Sequence, residues 1–234
     1  MSTYSLLEYL SRILTMFLVL PLHEAAHGFI AKKMGDDTAE RQGRITLNPF
    51  AHLDPIGAIL MLFTGFGWAK PVPINPIRMR SYRGGTALTA LAGPVSNLIA
   101  AFVCGLAYSI LLCFEGIYIS YVEYVFAGTV TPAACLLQIL SFLFSINIGL
   151  AVFNLIPLPP LDGFNVLRYF TSEKVDRWFY MHQREISYIF LIVILVITRL
   201  PYEYNILSRA TTALSELLWN AVDWIPETWG PMAA

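Results

Sequence analysis

Charge is scarce in this chain. Only 13% of its 234 residues are Asp, Glu, Lys or Arg, about half the share of an ordinary soluble domain. With 56% hydrophobic residues and a mean hydropathy of +0.60, it reads as an integral membrane protein. Basic residues are not in surplus either. The formal net charge is -1, which argues against nucleic acid as a partner. Cysteine is sparse and unpatterned: Cys104, Cys113 and Cys135 are an odd number, show no CxxC spacing and lie in or beside apolar segments. They read as small core residues, neither a disulfide framework nor zinc ligands. No Lys or Arg precedes the first apolar stretch, and Arg12 interrupts it, so a retained helix is expected in place of a cleaved signal peptide. No internal repeat, low-complexity tract or appended soluble domain is visible, and residues 1–234 are expected to form a single membrane-embedded domain.

Long apolar runs, by contrast, are abundant. A helix needs about 20 mostly apolar residues to cross a bilayer. Segments at about 6–31, 86–114 and 133–158 meet that length, and a fourth at about 186–200 is short but strongly apolar. Residues 203–223 carry Arg209, Glu216 and Asp223 among leucines at near-helical spacing, followed by a Trp cluster. They fit an interfacial amphipathic helix at least as well as a span. The expected fold class is an all-α polytopic membrane protein with four to five transmembrane helices. Between the first two spans, the apolar patch Ile56 to Ala69 is too short to cross, and Gly57, Gly65 and Gly67 weaken it as a helix. A short re-entrant or β-hairpin-like element is expected there. It runs into Lys70-Pro71-Val72-Pro73-Ile74-Asn75-Pro76, whose prolines favour an extended edge.

The few charges set an orientation. Twelve of the fifteen basic residues fall between spans one and two or after span three, while the loop at about 115–132 has Glu115 and Glu123 but no Lys or Arg. By the positive-inside rule the first two loops are cytoplasmic and the third is external. Span one then enters from outside.

Near the cytoplasmic end of span one stands His23-Glu24-Ala25-Ala26-His27. Residues four apart share a helix face, so both imidazoles can reach one metal ion. Glu24 can hold a proton for a metal-activated water. Ionisable groups at membrane depth are costly and need such partners. A catalytic zinc takes three protein ligands and keeps a position for water. Asp162 arrives at the matching depth, after a proline-broken stretch from Asn154 to Pro160, with Gly163 behind it to bend the backbone. His52 and Asp54 lie on the same side, but their flanking prolines fit a loop role equally well; Glu115 and Glu123 lie on the wrong side, and His182 reads as solvated.

Three ordered motifs together resemble the site-2 protease family of intramembrane zinc metalloproteases. They are HEAAH in the first span, Ala92-Gly93-Pro94-Val95-Ser96-Asn97, and Leu161-Asp162-Gly163 after Asn-x-x-Pro-x-Pro-Pro. The stretches Leu47 to Gly57 and Gly67 to Pro73 look like the compact prokaryotic subgroup without PDZ or CBS domains. The resemblance covers about residues 6–170, the expected catalytic core, with accessory helices at about 186–223. It implies one zinc ion per chain bound by His23, His27 and Asp162, and Glu24 as general base. It also implies hydrolysis within or next to the transmembrane segment of a membrane-protein substrate, as in regulated intramembrane proteolysis, by a multi-pass cell-membrane protein. Asn97 and Asn154 are candidate substrate contacts, with interhelical packing as an equal reading for Asn97 and as the alternative for Asn154. The segment Val72 to Ile74 offers an edge for an unwound substrate strand. The competing reading is a metal transporter or a non-catalytic metal-binding scaffold. Against it, the outer half of span one is apolar, which leaves no polar route across. Homo-oligomerisation stays open.

Overall fold

The computed structural model of the protein describes residues 3–64, 67–197, 200–201 and 204–231. Among these residues all regular structure is helical, and extended pairing amounts to one isolated antiparallel bridge between Leu53 and Ala69. Three helical stretches are long and apolar enough to cross a membrane: Tyr9–Met34, Tyr82–Leu112 and Pro132–Asn154. The fourth expected crossing falls on α10, Gln183–Ile197. Its 15 residues rise roughly 22 Å, short of a hydrocarbon core of about 30 Å. Residues 198, 199 and 203, at the edges of two of the expected segments, lie outside the described residues, as does Gly65. Among the described residues, then, three helices reach spanning length, and the fourth and fifth expected crossings border residues outside that set.

The first span is one continuous helix with a widened turn in it. α1 (Thr3–Leu14) passes through a π turn (Thr15–Val19) into α2 (Leu20–Met34). The Leu20 N–H reaches back five residues to Thr15 O, directly before Pro21, which has no N–H to give. Gly35, at φ 109°, caps α2 in the left-handed region that favours glycine, and the short α3 (Thr38–Arg41) follows it.

α5 (Tyr82–Leu112) is the central helix and packs on α2, on α7 (Pro132–Asn154) and on α8 (Asp162–Phe170). Its start is capped by Ser81, whose hydroxyl accepts from Gly84 N–H; Thr131 does the same for α7 through Ala134 N–H. The core between them centres on Ala101, Phe144 and Ile148. A second cluster, Tyr108, Leu112 and Leu137, is closed by α6 (Glu115–Ala127).

α11 (Ile206–Trp219) lies against α5 and α7, with Trp219 edge-on to both Phe144 (5.5 Å) and Tyr108 (5.2 Å). α10 packs Phe190 and Ile194 onto Leu161 and the loop that leads into α8.

Between spans one and two the expected re-entrant or hairpin-like element takes a specific form. Pro55–Thr64 is a helix, α4, whose start is capped by Asp54 accepting from Gly57 N–H. The glycines expected to weaken it serve its packing. A Cβ on Gly57 would lie 2.2 Å from Trp68 O, and one on Gly67 would lie 2.2 Å from Gly57 O. Their missing side chains let the returning chain lie directly on α4. Gly163 differs from expectation in the same way. It adopts no positive φ and bends nothing, but a Cβ there would strike Leu155 O. It lets the first turn of α8 pack against the end of α7.

Trp219 joins two core clusters from one side chain, so Trp219→Ala should lower stability by about 2 to 3 kcal/mol, less than full burial would cost because the ring is half-buried. Thermal unfolding in detergent checks this; an unchanged midpoint would mean that α11 does not brace the core.

Candidate active site

α2 presents His23 and His27 on one face, both buried, and sets their Nε2 atoms 3.0 Å apart. The first residue of α8 completes the group, with Asp162 Oδ2 3.2 Å from His23 Nε2 and 3.4 Å from His27 Nε2. Among the described residues these three form a group able to hold a metal ion, their ligand atoms all within 4.8 Å of one another. Asp162 Oδ2 is buried and has no hydrogen-bond partner. His27 Nδ1 lies 2.7 Å from Thr89 O, and a carbonyl only accepts, so the ring proton sits on Nδ1 and the Nε2 lone pair faces the group. A buried carboxylate oxygen left unpaired beside imidazole lone pairs is what a cation would satisfy.

α5 lies directly against the two imidazoles. A Cβ on Gly93 would lie 2.5 Å from both His23 Cε1 and His27 Nε2. Glycine at this position lets the two helices close on each other.

Glu24 lines the same cavity, about 340 Å³ in volume, together with Val72, Ile74, Asn154 and Asp162. Its Oε2 accepts from Val72 N–H at 2.8 Å. The segment carrying Val72 is held by its backbone. Arg44 donates to Lys70 O (2.8 Å) and Pro71 O (3.1 Å), and Asn75 N–H donates to Asp36 Oδ2 (2.5 Å). Burial pulls the Asp36 carboxyl up, but hydrogen bonds from Thr38 and Asn75 outweigh it and hold its pKa below the usual carboxylate range. Asp162 is steadied from the far end of its short helix. Arg168 of α8 pairs with Asp176 of α9 (Glu173–Met181), which holds the guanidinium above its ordinary value and the carboxyl below its own. Arg83 of α5 donates to Thr171 O at 2.7 Å.

Of the other residues singled out in the sequence, Asn154 is in the cavity wall, its amide donating back to Leu150 O at 3.0 Å. Asn97 is elsewhere. It is fully buried, does not line the cavity, and meets His23 Nδ1 at 2.6 Å and Asn147 at 2.9 Å. A substrate contact was one of its two readings; with both polar atoms engaged, its place is behind His23. His52 stands outside the metal group, 2.9 Å from Thr46 O, and Asp54 caps α4. His182 stacks on Trp178. Four participants had not been singled out. Asn147 could have been, since an amide in an apolar span needs a partner. Arg44 and Asp36 belong to no motif that would mark them. The Thr89 carbonyl has no sequence signal at all.

The family model of peptidase family M50 matches residues 11–198, a range that holds every residue of this group. The chain belongs to peptidase family M50. It is 41% identical over 165 residues to "Putative zinc metalloprotease YwhC" of Bacillus subtilis (strain 168), covering 70% of this chain and 69% of that protein. MJ0611 of Methanocaldococcus jannaschii, with the same descriptor, is 27% identical over 71% of this chain and 73% of its own length. Rip2 of Mycolicibacterium smegmatis, again so described, is 26% identical over 68% of this chain and 56% of its own length. No solved structure gives a significant match.

Gly93→Ala tests the close approach. Alanine suits a helix better than glycine, so α5 should form normally while its new methyl displaces the two imidazoles from their meeting point. Zinc content by elemental analysis should fall at least about tenfold with the helical signal unchanged. Full zinc occupancy in this variant would show that the ligands do not meet where the geometry puts them.

Proposed function

We propose that this M50 peptidase is a zinc metalloendopeptidase of the site-2 type that cuts a peptide bond within or beside the transmembrane segment of a membrane protein. His23, His27 and Asp162 hold the zinc, and Glu24 is the general base. The observation that carries this reading is the meeting of three ligand atoms from α2 and α8 in one cavity with Glu24.

Zinc, when bound, supplies Lewis acidity that acidifies water and polarises a peptide carbonyl. The chain does the rest. With Oε2 engaged by Val72 N–H, Glu24 takes the proton of the attacking water on Oε1 and passes it to the leaving amine. A transmembrane helix keeps its peptide carbonyls in its own backbone hydrogen bonds, so a substrate enters this cavity unwound. Val72 to Ile74, held in place from behind by Arg44 and Asp36, is the edge against which it lies, by β-augmentation. Asn154, in the same wall, is the side chain placed to orient it.

The cytoplasmic placement of the site rests on the charge asymmetry of the loops and on Lys32 and Lys33 closing α2. Cleavage then falls in the cytoplasmic part of the substrate's own segment and releases a cytoplasmic domain, the outcome of regulated intramembrane proteolysis. The catalytic core is residues 6–170, with the C-terminal helices as its brace.

Glu24→Gln separates base from ligand. Cleavage of a transmembrane substrate in detergent or liposomes should be lost, by about 10²-fold or more, while zinc stays near one per chain. Asp162→Ala should lose zinc and activity together. Mass spectrometry of the products should place the cut in the cytoplasmic part of the substrate. Retained peptidase activity in Glu24→Gln, or undiminished zinc in Asp162→Ala, would overturn the respective role. Cuts at the external end would overturn the orientation.

A further inference from the structure

Asn97 and Asn147 decide which nitrogen of His23 carries the ring proton. A neutral imidazole has one N–H and one lone pair, and only the lone pair can bind a metal. For His27 the Thr89 carbonyl settles the matter. His23 Nδ1 instead faces an amide, Asn97, which can present either oxygen or NH2. Its other end faces a second amide, Asn147, equally ambivalent. The chain ends at Leu143 O, 2.7 Å from the Asn147 amide, and a backbone carbonyl only accepts. Reading back from there, Asn147 gives its NH2 to Leu143 and its oxygen to Asn97. Asn97 then gives its NH2 to Asn147 and its oxygen to His23, so Nδ1 must donate. Nε2 is left with its lone pair aimed at His27 Nε2 and Asp162 Oδ2. The reverse direction would set two carbonyl oxygens 2.7 Å apart in a buried place.

We propose that Asn97, oriented by Asn147 and ultimately by the Leu143 carbonyl of α7, is a positioning residue that locks His23 in its metal-binding tautomer. The proposal rests on the metal site argued above. Asn147 acts only through Asn97.

The test uses the full chain in detergent, stripped with a chelator and titrated with Zn²⁺ against a chromogenic competitor. Asn97→Leu should bind zinc about 10- to 100-fold more weakly, and Asn147→Leu should lose less, because the Asn97 amide can then turn. The double variant should match Asn97→Leu, since removing the second amide matters only while the first is present. Asn97→Asp, which keeps an acceptor for Nδ1–H, should bind more tightly than Asn97→Leu. A readout independent of zinc is the ¹⁵N spectrum of the metal-free, histidine-labelled chain, which has only four His. His23 should be protonated at Nδ1 in the unaltered chain and a mixture of tautomers in Asn97→Leu. If Asn97→Leu does not fold, the same spectrum of Asn147→Leu decides, and a pure Nδ1–H form there overturns the lock. So does zinc affinity within about twofold of the unaltered chain in Asn97→Leu, or a double-variant loss equal to the product of the singles. His27→Ala is the separate control: undiminished zinc binding in that variant would sink the metal site itself, whatever the Asn97 variants do.

Discussion

With only hydrogen at Gly93, α5 lies against the two imidazoles of α2, where a Cβ would sit 2.5 Å from His27 Nε2. The arrangement of the site follows from this approach. It puts the Thr89 carbonyl and the Asn97 amide, four residues to either side of Gly93, within reach of the two Nδ1 atoms. It also lets α8, packed on the same helix, bring Asp162 to the Nε2 side. One helix thus orients both histidines from behind and supports Asp162 in front.

The fold keeps its irregular backbone close to this cavity and satisfies it there, as an apolar surround requires. The π turn precedes Pro21, two residues before His23. The proline-rich link from α7 to α8 is covered by Phe190 and Ile194 of α10. The extended segment at 70–75 has its carbonyls on Arg44 and its N–H groups on Glu24 and Asp36. Two buried charges outside the metal group, Arg44 and Asp36, therefore hold the wall of the cavity in place. An unpaired buried polar group costs on the order of 1 to 3 kcal/mol, so these contacts are strong constraints on where the segment can lie.

Much of the site was legible in the sequence because its chemistry is local. His23 and His27 share a helix face by spacing alone, and a charged pentapeptide inside an apolar run needs a reason. Asp162 was legible through its depth and the proline break before it. Glycines were misread, for Gly57, Gly67 and Gly163 looked like breakers or hinges when they are contact points. A missing side chain looks the same in sequence whether it frees a dihedral or admits a neighbouring backbone. Asn97 is a related case. Substrate contact and helix packing were equal readings of it, and the outcome depends on how α5 meets α2 and α7.

The sequence by itself determined the membrane character, the three long apolar helices and the two histidines with Glu24, because hydropathy and helical periodicity act within one segment. Only the tertiary structure decided that α10 and α11 pack as braces, that Val72 caps Glu24, and that Leu143 stands at the end of a hydrogen-bond chain leading to His23. Those relations join segments far apart in sequence, and a hydrogen bond acquires its direction only from the group it meets.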